Sequence, residues 1–289
     1  MESKNLEKFS LLIVLYINDE ALALTDCLNS ISQQTLLPSQ IVFVFNGPIH
    51  SLSKVVLNNF STHSKIEIKE IFLSKNFGLG FALNEGLKHC KYKLVARMDP
   101  DDICRADRFY LQISKISNNP EIDVLGSNVC EFSEVIGDLV FTKNLPEDYD
   151  SIVHYSRFRN PLNHPTVIFR KDKILQVGSY EDVPLFEDYY LWLKVIKNKG
   201  IVVNMSEELV YFRFNKNLIS RRRGFLYLIK EFNFLKLCYS NGLINFRLLV
   251  LNVFIKLPFR IFPTTIFEFF FKNLLRNKST GYSINLNSK

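Results

Sequence analysis

Several things are missing from this 289-residue chain, and each absence excludes a class of protein. Its five cysteines, Cys27, Cys90, Cys104, Cys130 and Cys238, form no Cys-x-x-Cys pair. Their odd number and wide spacing argue against a disulfide framework or a zinc site and fit a reducing cytoplasm. The N-terminus, Met1 to Lys8, is charged and polar where a signal peptide would be apolar, so the chain is expected to stay on the side where it is made. No apolar run reaches membrane-spanning length without a charge. No repeat or low-complexity segment is present. Glycine is sparse around the one stretch that could hold a dinucleotide: after Gly78-Leu79-Gly80 the next glycine is Gly86, too distant for that fingerprint, which leaves a hydride-transfer reading with little support.

What is there suits one large domain with an appendage, or two small domains. The 47% hydrophobic content is ordinary for a globular protein, but the charge is unevenly spread. Residues 213–289 hold 14 Lys and Arg against 2 acids, a surplus of +12, so residues 1–212 carry −5 of the chain's net +7. A mildly acidic body with a strongly basic tail points to an anionic surface as the tail's partner.

The body alternates strand and helix signals. Leu11–Tyr16, Ile41–Phe45, Ile66–Ile71 and Tyr92–Ala96 read as strands, with helical periods over Leu22–Ser32, Leu52–Phe60 and Gly80–Cys90 between them. Such alternation predicts an α/β fold with a mostly parallel sheet covered by helices on both faces. Ligands of these sheets bind beyond the carboxyl ends of the strands, which gathers Tyr16, Asn46 and Asp99 around one crevice. After Asp123 the pattern turns α+β, with strand signals at Val124–Val129 and Thr166–Phe169 around a loop-rich Asn160–Pro165.

Two acidic constellations carry chemistry. Arg97-Met98-Asp99-Pro100-Asp101-Asp102 sets three carboxylates at a strand end, with Arg97 and Asp99 on one face and Pro100 closing the strand. Like charges this close repel, and a divalent cation such as Mg²⁺ or Mn²⁺ relieves them; the bland alternative is a solvated acidic turn. Arg97 beside Asp99 would pair with that carboxylate or with a phosphate, or form a purely structural ion pair. The second constellation is Glu187-Asp188, at the start of an apolar-rich helix after Pro184. Acids there complement the helix dipole, but aromatic neighbours Phe186, Tyr189, Tyr190 and Trp192 would also perturb a pKa as a general base requires.

Together with Val14–Glu20, Cys27–Thr35, Asn76–Gly86 and Asn160–Thr166, these motifs resemble, in order and over roughly residues 9–215, the family 2 glycosyltransferases of GT-A fold that build O-antigen, capsule and exopolysaccharide. The resemblance implies a GT-A domain over residues 1–220, with a donor half near 9–105 and an acceptor half near 120–220. It implies that Asp101 ligates Mn²⁺ or Mg²⁺, that Asp99 binds the ribose or shares the cation, and that Tyr16 and Glu20 hold the nucleotide. Asp102 then supports the loop. Asp188 takes the place of the catalytic base of an inverting transfer, with Glu187 positioning acceptor or base. Asn46 stands where many members carry Asp, which weakens a uridine preference by analogy, although a UDP-sugar donor is the expectation. His164 is placed to contact the diphosphate or complete a metal shell, or to be structural. A nucleotidyltransferase is the rival enzyme, with no use for Asp188 as base; a non-catalytic membrane scaffold is the rival of another class.

The tail, residues 221–289, opens with Arg221-Arg222-Arg223 and continues in apolar stretches studded with cations: Phe225–Leu237, Leu243–Leu257 and Phe259–Leu275. It reads as amphipathic helices lying on an anionic leaflet, where a lipid-diphosphate-linked saccharide would meet the crevice, or, alternatively, as helices that pack on the catalytic domain or on a partner subunit. Its aromatics are not interleaved with cations as base-stacking platforms are, so no nucleic-acid partner is expected. The expected location is the cytoplasm, peripheral on the inner face of the plasma membrane.

Overall fold

The computed structural model describes residues 6–138, 141–214, 224–261 and 277–278. Arg221–Arg223 and most of the third apolar stretch of the tail lie outside them. In the first third, strands β1 (Phe9–Leu15), β2 (Gln40–Asn46), β3 (Glu67–Leu73) and β4 (Leu94–Arg97) alternate with helices α1 (Ala21–Ser32), α2 (Ser51–His63) and α3 (Leu79–His89). The expected ends agree within three residues, because β-branched apolar runs and helical periods are local signals. The four strands lie parallel in the order β3-β2-β1-β4.

Every residue of β1 and β2 is buried, which is what helices on both faces of a sheet require. Alternation sorts them. Phe9, Leu11, Ile13 and Leu15 pack with Leu24, Leu28 and Ile31 of α1 and Leu57 of α2, while Leu12 and Val14 pack with Ala82, Leu83 and Leu87 of α3. Gly86 allows α3 this close: an added Cβ would lie 2.3 Å from Leu12 Cδ1 and 2.7 Å from Val44 Cγ2.

The next elements are β5 (Ile103–Cys104), α4 (Arg108–Asn118), β6 (Ile122–Phe132), β7 (Phe141–Lys143), α5 (Tyr149–Ser156), a 3₁₀ turn His164–Thr166, β8 (Ile168–Arg170), α6 (Lys171–Gln176), α7 (Glu187–Lys197) and β9 (Ile201–Arg213). Here the sheet becomes mixed, in the region where the sequence pattern turns α+β. Strand β8 inserts antiparallel between β4 and β6, β7 is antiparallel to β6, and only β9 runs parallel to β6. The β6–β7 pair is a hairpin joined by a short connection, whereas β8 reaches its two antiparallel neighbours only after the chain has passed through β7 and α5. Strand β5 follows the acidic loop directly and pairs with β9 through Ile103 with Tyr211 and Cys104 with Val210, tying that loop to the far half of the chain.

The tail begins with α8 (Gly224–Ser240) and α9 (Phe246–Ile261), and β10 (Asn277–Lys278) adds an antiparallel rung to β7. Over the described residues the tail is not a detached appendage. Tyr227, Phe234, Leu235 and Cys238 of α8, with Ile244, share a core with Val183 and with Phe186, Tyr189, Tyr190 and Leu193 around α7. The Phe234 ring stacks on Phe186 at 4.6 Å and meets Tyr189 at 5.0 Å. Among the described residues no helix is long and apolar enough to cross a membrane.

Candidate active site

The carboxyl ends of β1, β2 and β4 form one side of the site. Beyond β1 the chain closes a turn in which the Tyr16 backbone N–H donates to Asp19 Oδ2 at 2.6 Å and the Asp19 N–H returns to the Tyr16 carbonyl. Burial pushes the Asp19 carboxyl up to about 7 against that hydrogen bond, and burial pushes the Tyr16 phenol up to about 12 against the lowering influence of neighbouring Asn46. At the end of β2, Asn46 directs its Nδ2 to Asn76 Oδ1 and to the Gly78 carbonyl, and its Oδ1 accepts from the Phe77 N–H. Its amide therefore holds the loop that starts α3. Glu20 is exposed at the start of α1 and caps nothing with its side chain.

At the end of β4, Arg97 is buried and bonds Asp99 through Nη2, while its Nη1 is buried without a hydrogen-bond partner. Arg108, fully buried on α4, supports this strand end by donating to the Arg97 carbonyl at 2.8 Å. Asp99, Asp101 and Asp102 each bring one carboxylate oxygen within 4.8 Å of the others. Asp102 is buried; its Oδ1 accepts from the Arg213 N–H at 2.9 Å and its Oδ2 has no partner. Burial, then Asp101 and Asp99 beside it, hold the Asp102 carboxyl well above the usual range. Desolvation by the surrounding chain and then the Asp99 charge push Asp101 up to about 6. Three carboxylates repelling one another at this range, with Asp99 and Asp101 reaching beyond the buried Asp102, are the oxygen donor set a hard divalent cation takes, so the residues fit one.

Opposite stands the first turn of α7. Asp188 accepts from Asn160 Nδ2 at 2.6 Å and from the Tyr189 N–H at 2.8 Å, and burial raises its carboxyl despite those bonds. Burial pushes Glu187 up to about 7, with the Asp188 charge adding to it. The chain enters this turn through Leu185 at φ 76°, a left-handed conformation that costs a branched residue about 1–2 kcal/mol. Gly80 at the start of α3 lets the two halves meet here, since an added Cβ would stand 2.9 Å from the Glu181 carbonyl and 3.4 Å from Glu187 Cγ. The Arg97 charge acts on Tyr16, Asp101, Asp102, His164, Tyr180 and Asp188, so strand ends, acidic loop and α7 lie within electrostatic range of a single guanidinium.

Residues 10–173 match the family model described as glycosyl transferase family 2. The chain belongs to glycosyl transferase family 2. It is 35% identical over 274 residues to the UDP-Gal:alpha-D-GlcNAc-diphosphoundecaprenol beta-1,3-galactosyltransferase of Escherichia coli, covering 95% of this chain and 98% of that one. It is 36% identical to the amylovoran biosynthesis glycosyltransferase AmsE of Erwinia amylovora, covering 91% and 98%. Among solved structures, Staphylococcus aureus TarS 1-349 in complex with UDP superposes with a TM-score of 0.57 at 19% identity, over 77% of this chain and 65% of that chain. That likeness establishes the GT-A fold.

In this family 2 glycosyltransferase the sequence-derived residues Tyr16, Asn46, Arg97, Asp99, Asp101, Glu187 and Asp188 converge, while Glu20 lies out at the start of α1. His164 does not join the carboxylate cluster: it is buried, its Nε2 shares a 2.9 Å hydrogen bond with the Tyr180 hydroxyl, and its ring stands edge-on to Trp192. Burial and then the Arg97 charge hold it well below its usual pKa, which favours the neutral imidazole. Three further residues escaped sequence reasoning. Asp19 carried a signal in its place just after β1, and Asn160 stood within a quoted motif without an assigned role. Arg213 had no local signal, because its partners Asp101 and Asp102 are more than a hundred residues away.

Proposed function

We propose that this glycosyltransferase transfers a single sugar, with inversion, from a nucleotide-sugar to a hydroxyl of a lipid-diphosphate-linked saccharide in cell-surface polysaccharide biosynthesis, working peripherally at the inner face of the plasma membrane. The convergence of the Asp99–Asp102 loop and Asp188 on Arg97 carries the reading. A UDP-sugar donor and a polyprenyl diphosphate acceptor are supported by the E. coli relative, whose described reaction uses both classes.

Asp188 accepts the proton of the acceptor hydroxyl as that oxygen attacks the anomeric carbon from the face opposite the leaving group. The bond from that carbon to the diphosphate oxygen breaks, and the electron pair leaves with the nucleoside diphosphate. Arg97 Nη1, buried with no protein partner, supplies a donor for anionic oxygen of the donor substrate. Tyr16 and the Asn46-held loop line the nucleotide side, and Glu187 helps position acceptor or base. A divalent cation, Mn²⁺ or Mg²⁺, would be held by Asp101 and Asp99 and would neutralise charge on the departing diphosphate.

The test is a thermal-shift panel of wild type and Asp101→Ala against UDP, GDP, CDP and dTDP, each with Mn²⁺ and with chelator. Ligand at about a hundred times its dissociation constant stabilises by about 2.7 kcal/mol, a shift of several degrees in a chain of this size. A shift for UDP that needs both Mn²⁺ and Asp101 is the expected result; no shift for any nucleotide overturns the reading.

A further inference from the structure

Helix α8 is apolar on two opposite faces. One face, Tyr227, Phe234, Leu235 and Cys238, is buried against α7. The other is a stripe at helical spacing, Phe225, Ile229, Phe232 and Tyr239, with Leu226 beside it, and it is open: Phe225 is 75% exposed and Leu226 76%. Helix α9 continues the display with Phe246, Leu251, Phe254 and Ile255, where Phe254 is 74% exposed. A helix with two apolar faces is normally covered on both, and an exposed apolar patch of this kind marks an interaction site.

Charge indicates what covers it. Lys230, Lys236 and Arg247 are exposed on the same two helices, and residues 213–289 carry the +12 surplus. Large apolar side chains set among exposed cations match a bilayer with anionic headgroups, where the apolar groups enter the acyl boundary and the cations stay at headgroup level. A protein partner would meet the same stripe without needing so large a surplus of one sign.

We infer that the outward face of α8 and α9, centred on Phe225, Ile229, Phe232, Leu251 and Phe254, docks this enzyme onto an anionic bilayer. This rests on the reading of the acceptor as lipid-linked. Its inner face gives the docking a consequence: Phe234 sits against Phe186 and Tyr189, the residues flanking Glu187-Asp188, so a membrane-seated α8 holds the first turn of the base helix close to the lipid surface. The acceptor diphosphate, anchored in the same bilayer, is thereby presented beside Asp188 without leaving the membrane.

The test is flotation of the full chain with phosphatidylcholine vesicles and with vesicles containing about 30% phosphatidylglycerol, at low and high salt. Wild type is compared with Phe225→Ser/Ile229→Ser/Phe232→Ser and with Lys230→Gln/Lys236→Gln/Arg247→Gln; all six positions are exposed, so both variants should fold, and the midpoint of thermal unfolding checks it. The expected result is flotation with anionic vesicles only, reduced about tenfold or more in each variant and weakened by salt. Wild type that fails to float overturns the inference. So does serine-variant flotation equal to wild type, or a wild-type dimer that the serine variant turns to monomer with no flotation in either, which would make a second copy the occupant. UDP binding with Mn²⁺ is measured on the same preparations: lost docking with intact nucleotide binding counts against this face alone, whereas docking without nucleotide binding counts against the transferase reading.

Discussion

Replacing Asp188 by Asn tests the assignment of the base with nearly constant shape. In the native site both carboxylate oxygens have a protein donor, Asn160 Nδ2 at 2.6 Å and the Tyr189 N–H at 2.8 Å. An asparagine offers one acceptor oxygen and an NH₂, so one of those two donors loses its partner. Leaving such a group unpaired costs about 1–3 kcal/mol, which at about 2–4 °C per kcal/mol lowers the unfolding midpoint by roughly 2–12 °C. The chemical loss is larger. With no group to take the hydroxyl proton, turnover falls about 10²–10⁴-fold, equivalent to about 2.7–5.4 kcal/mol in the barrier. The assay follows transfer of labelled sugar from a UDP-sugar to lipid extract acceptors, alongside the UDP-dependent thermal shift. Turnover down by at least about a hundredfold with the UDP shift retained is the expected outcome. Turnover within about threefold of wild type would refute Asp188 as base, and equal loss of turnover and UDP binding would show that Asp188 acts through structure alone. Asn160→Ala supplies a graded check. The Asn160 hydrogen bond opposes the burial that raises Asp188, so its removal raises that carboxyl further, and the acid limb of the pH–rate profile moves to higher pH.

Other expectations concern the surrounding groups. Arg213→Ala removes the Nε bond to the Asp101 carbonyl, the Nη2 bond to Asp26 and the stack over Phe132; the acidic loop loses about 1–2 kcal/mol of order, and Mn²⁺-dependent UDP binding measured by calorimetry weakens about tenfold. Asn46→Asp does not tighten UDP binding, because it turns the donor facing Asn76 Oδ1 and the Gly78 carbonyl into an acceptor; a midpoint that fails to drop would refute this account of the loop. Glu187 is raised to about 7 by burial, above its unfolded value of about 4.3, so the folded state keeps that proton longer and the stability it contributes is lost as pH rises from about 4 to 7. The unfolding midpoint of wild type should therefore fall relative to Glu187→Gln across that window, and parallel curves would show that Glu187 is not raised.

Much of the fold could be read from local pattern. Strands β1 and β2 announce themselves because successive residues face opposite helical layers and both layers are apolar, and α1 to α3 because their periods place one face on the sheet. The acidic loop was legible for a related reason: Asp99, Asp101 and Asp102 are neighbours in the chain, so their mutual repulsion is visible before any folding is known. The antiparallel insertion of β8 was not legible, since pairing partners depend on how the chain returns and not on the composition of the strand. The tail's composition left two alternatives open, helices on a leaflet or helices packed on the catalytic domain, and could not reveal that α8 places one of its two apolar faces on α7.

The sequence by itself therefore determined the layered α/β architecture, the carboxylates at the end of β4 and at the start of α7, and the basic tail, because each is written in residues a few positions apart. Only the tertiary structure decided that Arg97 sits among all of them with one nitrogen unpartnered, that His164 bonds Tyr180 instead of joining the carboxylates, that Asn160 holds Asp188, and that Arg213 clasps the acidic loop. Those pairings join side chains from distant parts of the chain, and what brings them together is the burial of shared apolar surface between elements, a property of the packed whole that no local run of residues contains.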